Sequence, residues 1–379
     1  MSVDKIKRAA LGLFAVSLFL VSGAVLAEFP LNLTEGVTPT SKRVYDLHMT
    51  IFYIVTVIGI AVFAVMTWSI IHHRKSKGVT PATFHHSTAA EIIWTIIPIL
   101  ILVGMAVPAT KTLIFMEKTG DSEMTIKVTG YQWKWKYDYL IGEGEGISFM
   151  SSLAEEDNAA RQLGSGIDPN TIENYLLNVD NEVVLPINTK IRILTTAEDV
   201  IHAWWVPALG WKRDAIPGYI NDNWTYIEEP GVYRGKCTEL CGKDHGFMPI
   251  VVRAMPKDEY TKWVADKKAE LAAANSGADM SKEDLLAKGK SVYSANCASC
   301  HLPTGEGVDG LFPALKDSAV VNGSKEEMIK LILNGKNLMP AFKDQLNDAD
   351  IAAVITHERN AWGNSAADTV QPSEIKAAR

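Results

Sequence analysis

Two apolar runs, from about Met49 to Ile71 and from about Ile92 to Ile114, constrain this chain more than anything else in it. Each is close to the ~20 residues that a helix needs to cross a bilayer. Backbone groups in hydrocarbon find no water to bond, so such runs must be helical. Pro98 and Pro108 fall inside the second run, where a membrane helix tolerates them better than a soluble one does. The connector reads His72-His73-Arg74-Lys75-Ser76-Lys77, and its positive charge predicts a cytoplasmic location. The runs then form a hairpin, and the chain beyond about residue 115 faces the external side. An earlier run, Ala9 to Ala27, follows Lys5, Lys7 and Arg8 and closes on Ala-Val-Leu-Ala. That pattern predicts a secretory signal peptide over residues 1–27, with an uncleaved membrane helix as the alternative.

The 379 residues leave room for two or three domains. Acidic residues outnumber basic ones, 44 to 37, and no basic stripe stands out, which excludes nucleic acid as a partner. Over 116–265 the pattern turns to short strands: Met124-Thr-Ile-Lys-Val-Thr, Glu182-Val-Val-Leu-Pro, Lys190-Ile-Arg-Ile-Leu-Thr and Pro249-Ile-Val-Val-Arg-Ala. Many short strands at this spacing predict a β-sandwich or barrel. Residues 143–178, rich in Gly, Ser, Asn and acidic residues, read as a long insertion loop between strands. A helix over 257–274 leads into a linker, 266–280 at its widest. Residues 281–363 form a helical module opened by a capping box at Ser281 and closed by a helix from about Asn347 to Trp362. The polar tail, 364–379, reads as loose.

The four cysteines form two pairs. Cys297 and Cys300 are followed at once by His301, the attachment motif for a c-type haem. The other pair stands in Lys-Cys237-Thr-Glu239-Leu-Cys241-Gly-Lys-Asp-His245-Gly-Phe-Met248. Two thiols, an imidazole and a thioether in one loop, with His202 upstream, are the ligand set of copper electron-transfer sites. Zinc has little use for a methionine. Taken alone, the two cysteines have a disulfide of an external domain as their lesser alternative, and Met248 alone reads as a core residue.

With Glu198-Asp199-Val200-Ile201-His202-Ala203-Trp204-Trp205 and Gly210-Trp-Lys-Arg-Asp-Ala-Ile-Pro-Gly218 added, residues 40–265 closely resemble subunit II of the haem–copper respiratory oxidases. The resemblance implies a multi-domain chain: a two-helix transmembrane hairpin, a cupredoxin-like β-sandwich and, from the haem motif onward, an all-α cytochrome c domain. It implies a binuclear copper centre, CuA. Cys237 and Cys241 would bridge both coppers. One copper would take His202 and Met248, the other His245 and the backbone carbonyl of Glu239. The Glu239 side chain would also ligate Mg²⁺ at the contact with subunit I, where a solvated loop carboxylate is the plainer reading.

Residues 281–363 resemble the small class I cytochromes c, in which a methionine completes the iron coordination and raises the potential. Met339, in Asn337-Leu-Met-Pro-Ala-Phe, matches the methionine loop, and Gly289, Tyr293 and Pro313-Ala-Leu fit the same pattern. Met328 sits in an amphipathic pattern and reads as core, and His357 as an exposed residue of the last helix.

Two more positions gain meaning from the resemblance. Tyr131 to Tyr139 alternates like a plain strand. Trp133 within it matches the tryptophan through which electrons reach the copper. Glu91 opens the second apolar helix, where a carboxylate can simply face headgroups. The resemblance makes it the mouth of a proton pathway into subunit I, and ionisable residues at membrane depth are functional candidates by default.

The expected function is that of subunit II of a proton-pumping cytochrome c oxidase, in a bacterial inner membrane with both redox domains on the periplasmic side. It would work with subunits I and III, membrane lipid and an external donor, either a cytochrome c or a quinol–cytochrome c reductase complex. A membrane-anchored haem c/copper electron carrier without an oxidase partner is the alternative. A quinol oxidase subunit would lack the copper ligands, and a nitrous-oxide-reducing enzyme would need a further large catalytic domain.

Overall fold

In the computed structural model, which describes residues 32–80 and 83–379, the two apolar runs are helices α1 (Pro39–His72) and α2 (Thr88–Met116). The signal-peptide expectation, residues 1–27, lies outside the described residues. Both helices are long and apolar enough to cross a membrane, and their large side chains are exposed along most of their length. Helix α1 begins ten residues before the apolar run because Thr38 caps it. Thr38 Oγ1 accepts from Ser41 N at 2.9 Å, and the Ser41 hydroxyl accepts from Thr38 N at 3.0 Å. The cap is tied down, since Thr38 Oγ1 also donates to Leu209 O at 2.9 Å. Lys42 pairs with Glu228 at 2.5 Å, and Arg43 lies over the Phe115 ring at the foot of α2.

The segment after α2 folds into two five-stranded sheets. One runs in the order β3 (Ser148–Ser151), β2 (Lys134–Ile141), β1 (Met124–Tyr131), β5 (Ile191–Ala197), β8 (Asn221–Thr225). The other runs β4 (Val183–Pro186), β10 (Pro249–Met255), β9 (Gly231–Cys237), β6 (His202–Val206), β7 (Trp211–Ala215). Strand β5 alternates buried and less buried residues along its whole length, and both sheets lay an apolar face inward. Ile126, Trp135, Tyr137, Ile191, Trp204 and Ile250 meet there. The fold is a β-sandwich, one of the two forms that the short strands predict, and of the cupredoxin-like kind that the resemblance implies.

Two expectations need correction. The stretch from Tyr131 to Tyr139 is not one strand: Tyr131 pairs with Lys134, so Gln132 and Trp133 form a tight hairpin turn between β1 and β2. The insertion is not all loop either. It contributes β3, paired with β2, and the short helix α3 (Glu155–Ala160). The buried Asp157 carboxylate accepts from Leu176 N and from Asn178 Nδ2, which fastens the return of the insertion to α3.

Helix α4 (Lys257–Ala274) packs back on the sandwich through Tyr260 and Val264. The C-terminal module is α5 (Lys282–Asn296), a helical turn at Ala298–His301, α6 (Lys325–Asn334), α7 (Asp348–Asn360) and α8 (Pro372–Ala378). Gly289 lets α5 and α7 touch, since a Cβ there would come within 2.1 Å of Ala353 O. The tail is not loose. Val370 and Ile375 are fully buried, and Asp368 binds the buried Arg359 at 2.7 Å.

Candidate metal centre and haem module

The copper-type residues converge at one end of the sandwich. His202 opens β6, Cys237 ends β9, and Cys241, His245 and Met248 lie on the loop from β9 to β10. The loop closes as Cys237 N donates to Met248 O at 3.0 Å. Cys237, Cys241, Met248 and His202 are all buried. Both cysteines are free thiols, with sulfurs 3.8 Å apart. That is far beyond the ~2.05 Å of a disulfide, so the bland pairing does not hold here. His202 Nδ1 lies 3.9 Å from Cys237 Sγ, and His245 Nδ1 lies 3.5 Å from Cys241 Sγ. The Glu239 carbonyl oxygen faces Cys237 Sγ at 3.4 Å. The sulfurs thus form a central pair, with one imidazole on each.

The electrostatics suit cation binding. Hydrogen bonding from Cys241 holds the Cys237 thiol far below the ordinary range; burial opposes this and His202 reinforces it. Cys241 is pushed up in turn by Cys237 and by burial, as when two thiols share one proton. Burial pushes the His202 imidazole down, but its bonds to Asp199 and Cys237 outweigh that and raise it.

Asp199 backs the His202 ring. Its Oδ1 accepts from His202 Nε2 at 2.9 Å, which leaves the Nδ1 lone pair aimed at the sulfurs. Gln132 N donates to Asp199 Oδ2 at 2.7 Å. Gly130 completes the seat of the ring: a Cβ there would lie 2.6 Å from His202 Cδ2. The acidic residue three before the histidine was the available signal for Asp199; nothing marked Gly130.

Trp133 reaches the same loop. Its indole Nε1 donates to Cys241 O at 3.1 Å, and Gln132 Nε2 donates to the same oxygen at 2.9 Å. Glu91 lies elsewhere, exposed in the first turn of α2. The twenty-five residues from there to Met116 amount to roughly 38 Å of helix.

In the C-terminal module, Cys297 and Cys300 are free thiols too. His301 Nδ1 donates to Pro313 O at 2.9 Å, leaving Nε2 for a ligand. Cys297, Leu315, Met339 and Trp362 pack, partly buried, against one helical core. Glu306 and residues 308–314, Pro313 among them, line a cavity of about 520 Å³. The set fits a covalently held haem: two unpaired thiols, one oriented imidazole and a thioether on a loop. Met328 is buried core. His357, expected to be exposed, is half-buried instead, with its ring 5.6 Å from Tyr293 and 5.4 Å from Trp362.

Three family models match the chain. Residues 27–112 match the transmembrane domain of cytochrome c oxidase subunit II, and residues 124–255 its periplasmic domain. Residues 284–357 match the cytochrome c oxidase, cbb3-type, subunit III. The Rickettsia bellii protein named "Probable cytochrome c oxidase subunit 2" is 39% identical over 256 residues, which are 66% of this chain and 91% of that one. The chain belongs to the cytochrome c oxidase subunit II family. The subunit 2 of Cyanidium caldarium is 38% identical over 236 residues, 62% of this subunit II and 89% of its own length. The solved periplasmic domain of subunit II from Bradyrhizobium japonicum is 40% identical, with TM-score 0.35, and the match covers 40% of this chain and 98% of that one. With the family match over residues 284–357, this subunit II carries a fused cytochrome c domain. Its family implies copper, and the fused domain implies haem.

Proposed function

We propose that this chain passes electrons from its own covalently bound haem c to a binuclear CuA centre and on to subunit I of a proton-pumping oxidase, where O₂ is reduced to water. One observation carries the reading: the thiol pair Cys237–Cys241, flanked by one imidazole on each sulfur, is hydrogen-bonded through the Cys241 carbonyl to Trp133. Copper and haem would supply reversible one-electron chemistry when bound.

Cys237 and Cys241 would bridge the two coppers. His202 Nδ1 and Met248 would complete one, and His245 Nδ1 and the Glu239 carbonyl the other. The chain's own work is to hold these donors still. Asp199 fixes the His202 ring, and the sandwich excludes water from both sulfurs and Met248. A buried site of fixed donors needs little rearrangement when its charge changes. Trp133 would receive the electron. Cys297 and Cys300 would bind the haem, with His301 and Met339 as axial ligands. The Glu239 side chain would ligate Mg²⁺ at the subunit I contact.

Glu91 would be the mouth of a proton pathway into subunit I. It stands at the end of α2 remote from the copper domain, where the helix dipole favours a carboxylate. The domains would be a hairpin over 28–115, a copper domain over 116–265, a linker over 266–280 and a cytochrome over 281–363, with the packed tail 364–379 joined to it. The copper and haem domains would face the periplasm of a bacterial inner membrane. Subunits I and III would be neighbours, and an external cytochrome c or a quinol–cytochrome c reductase complex the donor.

The test is metal analysis and electron paramagnetic resonance on the purified protein. Two coppers per haem, a delocalised mixed-valence signal and co-purification with a many-helix haem subunit are expected. One copper or none would overturn the ligand set. Loss of the haem subunit alone would favour a free-standing membrane carrier.

A further inference from the structure

The copper domain presents a lysine that is buried without a carboxylate partner among the described residues. Lys134 is 5% exposed. It follows Trp133 directly, and its Nζ donates to Asn296 Oδ1 at 2.7 Å. Asn296 directly precedes the haem cysteine Cys297, and its own amide is fixed by Val292 O at 2.9 Å. The lysine also lies 5.2 Å from the centre of the Phe342 ring. Burying a cation against a neutral amide is costly, and natural chains retain such groups where position matters.

The insertion supplies a second connection. Asn158 Nδ2, on α3, donates to Ser294 O at 3.0 Å and to Ser294 Oγ at 3.1 Å. Asn158 Oδ1 accepts from Arg161 Nε at 2.7 Å, and Arg161 pairs at 3.3 Å with Asp244, the neighbour of His245. Two further lysines reach across. Lys243 donates to Ser299 O at 2.8 Å, and Lys136 to Asp344 O at 3.2 Å. Every acceptor on the cytochrome side is a carbonyl, a hydroxyl or an amide oxygen. Among the described residues, no ion pair crosses this contact. The gap lined by Trp133, Lys134, Asn158, Ser294 and Asn296 is only about 40 Å³.

We propose that Lys134 and the Asn158 arm of the insertion are positioning residues that hold the fused cytochrome in one standing, salt-insensitive seat against Trp133. The proposal rests on the electron route given above and adds how the donor is held. A tethered cytochrome that docked by ion pairs would come and go with ionic strength. A seat built on neutral acceptors stays closed. One electron then leaves the haem and one arrives at the copper pair, with no bond or proton changing hands.

The test uses the assembled oxidase with haem and copper in place. A light-driven one-electron donor reduces the haem, and arrival at the copper is read from its absorbance at low and high salt. Hydrogen exchange over residues 294–299 reports the seat itself. The wild-type rate should be the same at both salts. Lys134→Met and Asn158→Ala should each slow transfer about tenfold, as loss of a buried hydrogen bond does. Both should speed exchange at 294–299 while leaving the copper spectrum unchanged, and Asn158→Ala, which removes no charge, should leave the haem potential unchanged too. If Lys134→Met fails to assemble, Asn158→Ala carries the test. A wild-type rate that drops steeply with salt, or unchanged exchange in both variants, would overturn the seat. Faster exchange with transfer indifferent to Trp133 would remove the tryptophan route and leave the seat standing.

Discussion

Trp133 and Cys241 are joined by a single hydrogen bond, from the indole Nε1 to the backbone oxygen at 3.1 Å. This contact links a hairpin turn of one sheet to the cysteine loop of the other. Trp133→Phe removes the donor and keeps most of the ring. Haem-to-copper transfer should slow while copper content stays at the wild-type level, checked by transient absorbance and metal analysis. Unchanged transfer would sink the role of Trp133.

Asp199 predicts a second outcome. Asp199→Ala frees His202 Nε2 and with it the orientation of the ring. Copper affinity should fall about 10–100-fold, as for other lost partners of metal-binding histidines. Chelator competition measures it. Asp199→Asn keeps an acceptor and should recover most of the loss.

Gly130 has no room for a side chain. Gly130→Ala would drive a methyl into the His202 ring, 2.6 Å away. We expect a stability cost of about 1–3 kcal/mol by denaturant titration. The copper signal should be distorted as well, whereas a purely structural strand position would leave it alone.

Lys134 gives a pH prediction. Burial pushes its ammonium down to about 8 from 10.5. Between those values the unfolded chain binds more protons than the folded one, so stability rises with pH across that window. Relative to Lys134→Met, the wild type should gain roughly 3 kcal/mol from pH 8 to 10.5. Thermal unfolding of both proteins across the window checks this. The neutral amine still donates to Asn296, so the seat should not open as the charge is lost.

The tail makes a fifth target. Arg359 is 3% exposed and bonds Asp368, Val321 O and Gly323 O. Asp368→Ala leaves a buried guanidinium short of its half-exposed charge partner and should cost about 1.5–3 kcal/mol of cytochrome stability. A shift of the haem Soret band on heating, as the iron ligands let go of the covalently held haem, is a direct readout.

Much of this was legible in the sequence because it is local. The apolar runs show as length, the strands as alternation, and the haem motif as three residues in five positions. The metal loop is compact enough to be read in the same way, with His202 the one distant member. What stayed hidden depends on contacts between distant residues. Nothing in Gln132-Trp133 marks a turn, because the alternation of aromatic residues continues through it. Asn158 and Lys134 look like ordinary polar residues until Ser294 and Asn296, over a hundred positions on, arrive beside them. The tail reads as polar because Val370 and Ile375 are too few to form a pattern, although both are fully buried.

Helix α1 has one more consequence. Its 34 residues would extend roughly 51 Å, against about 30 Å of hydrocarbon. The surplus turns would stand clear of lipid; they end at the sandwich, where Thr38 grips Leu209. One inserted residue would lengthen this pillar by about 1.5 Å and swing Thr38 about 100° off its mark. The helix is therefore both ruler and compass: its length sets the altitude of the copper domain above the bilayer, and its phase sets the heading.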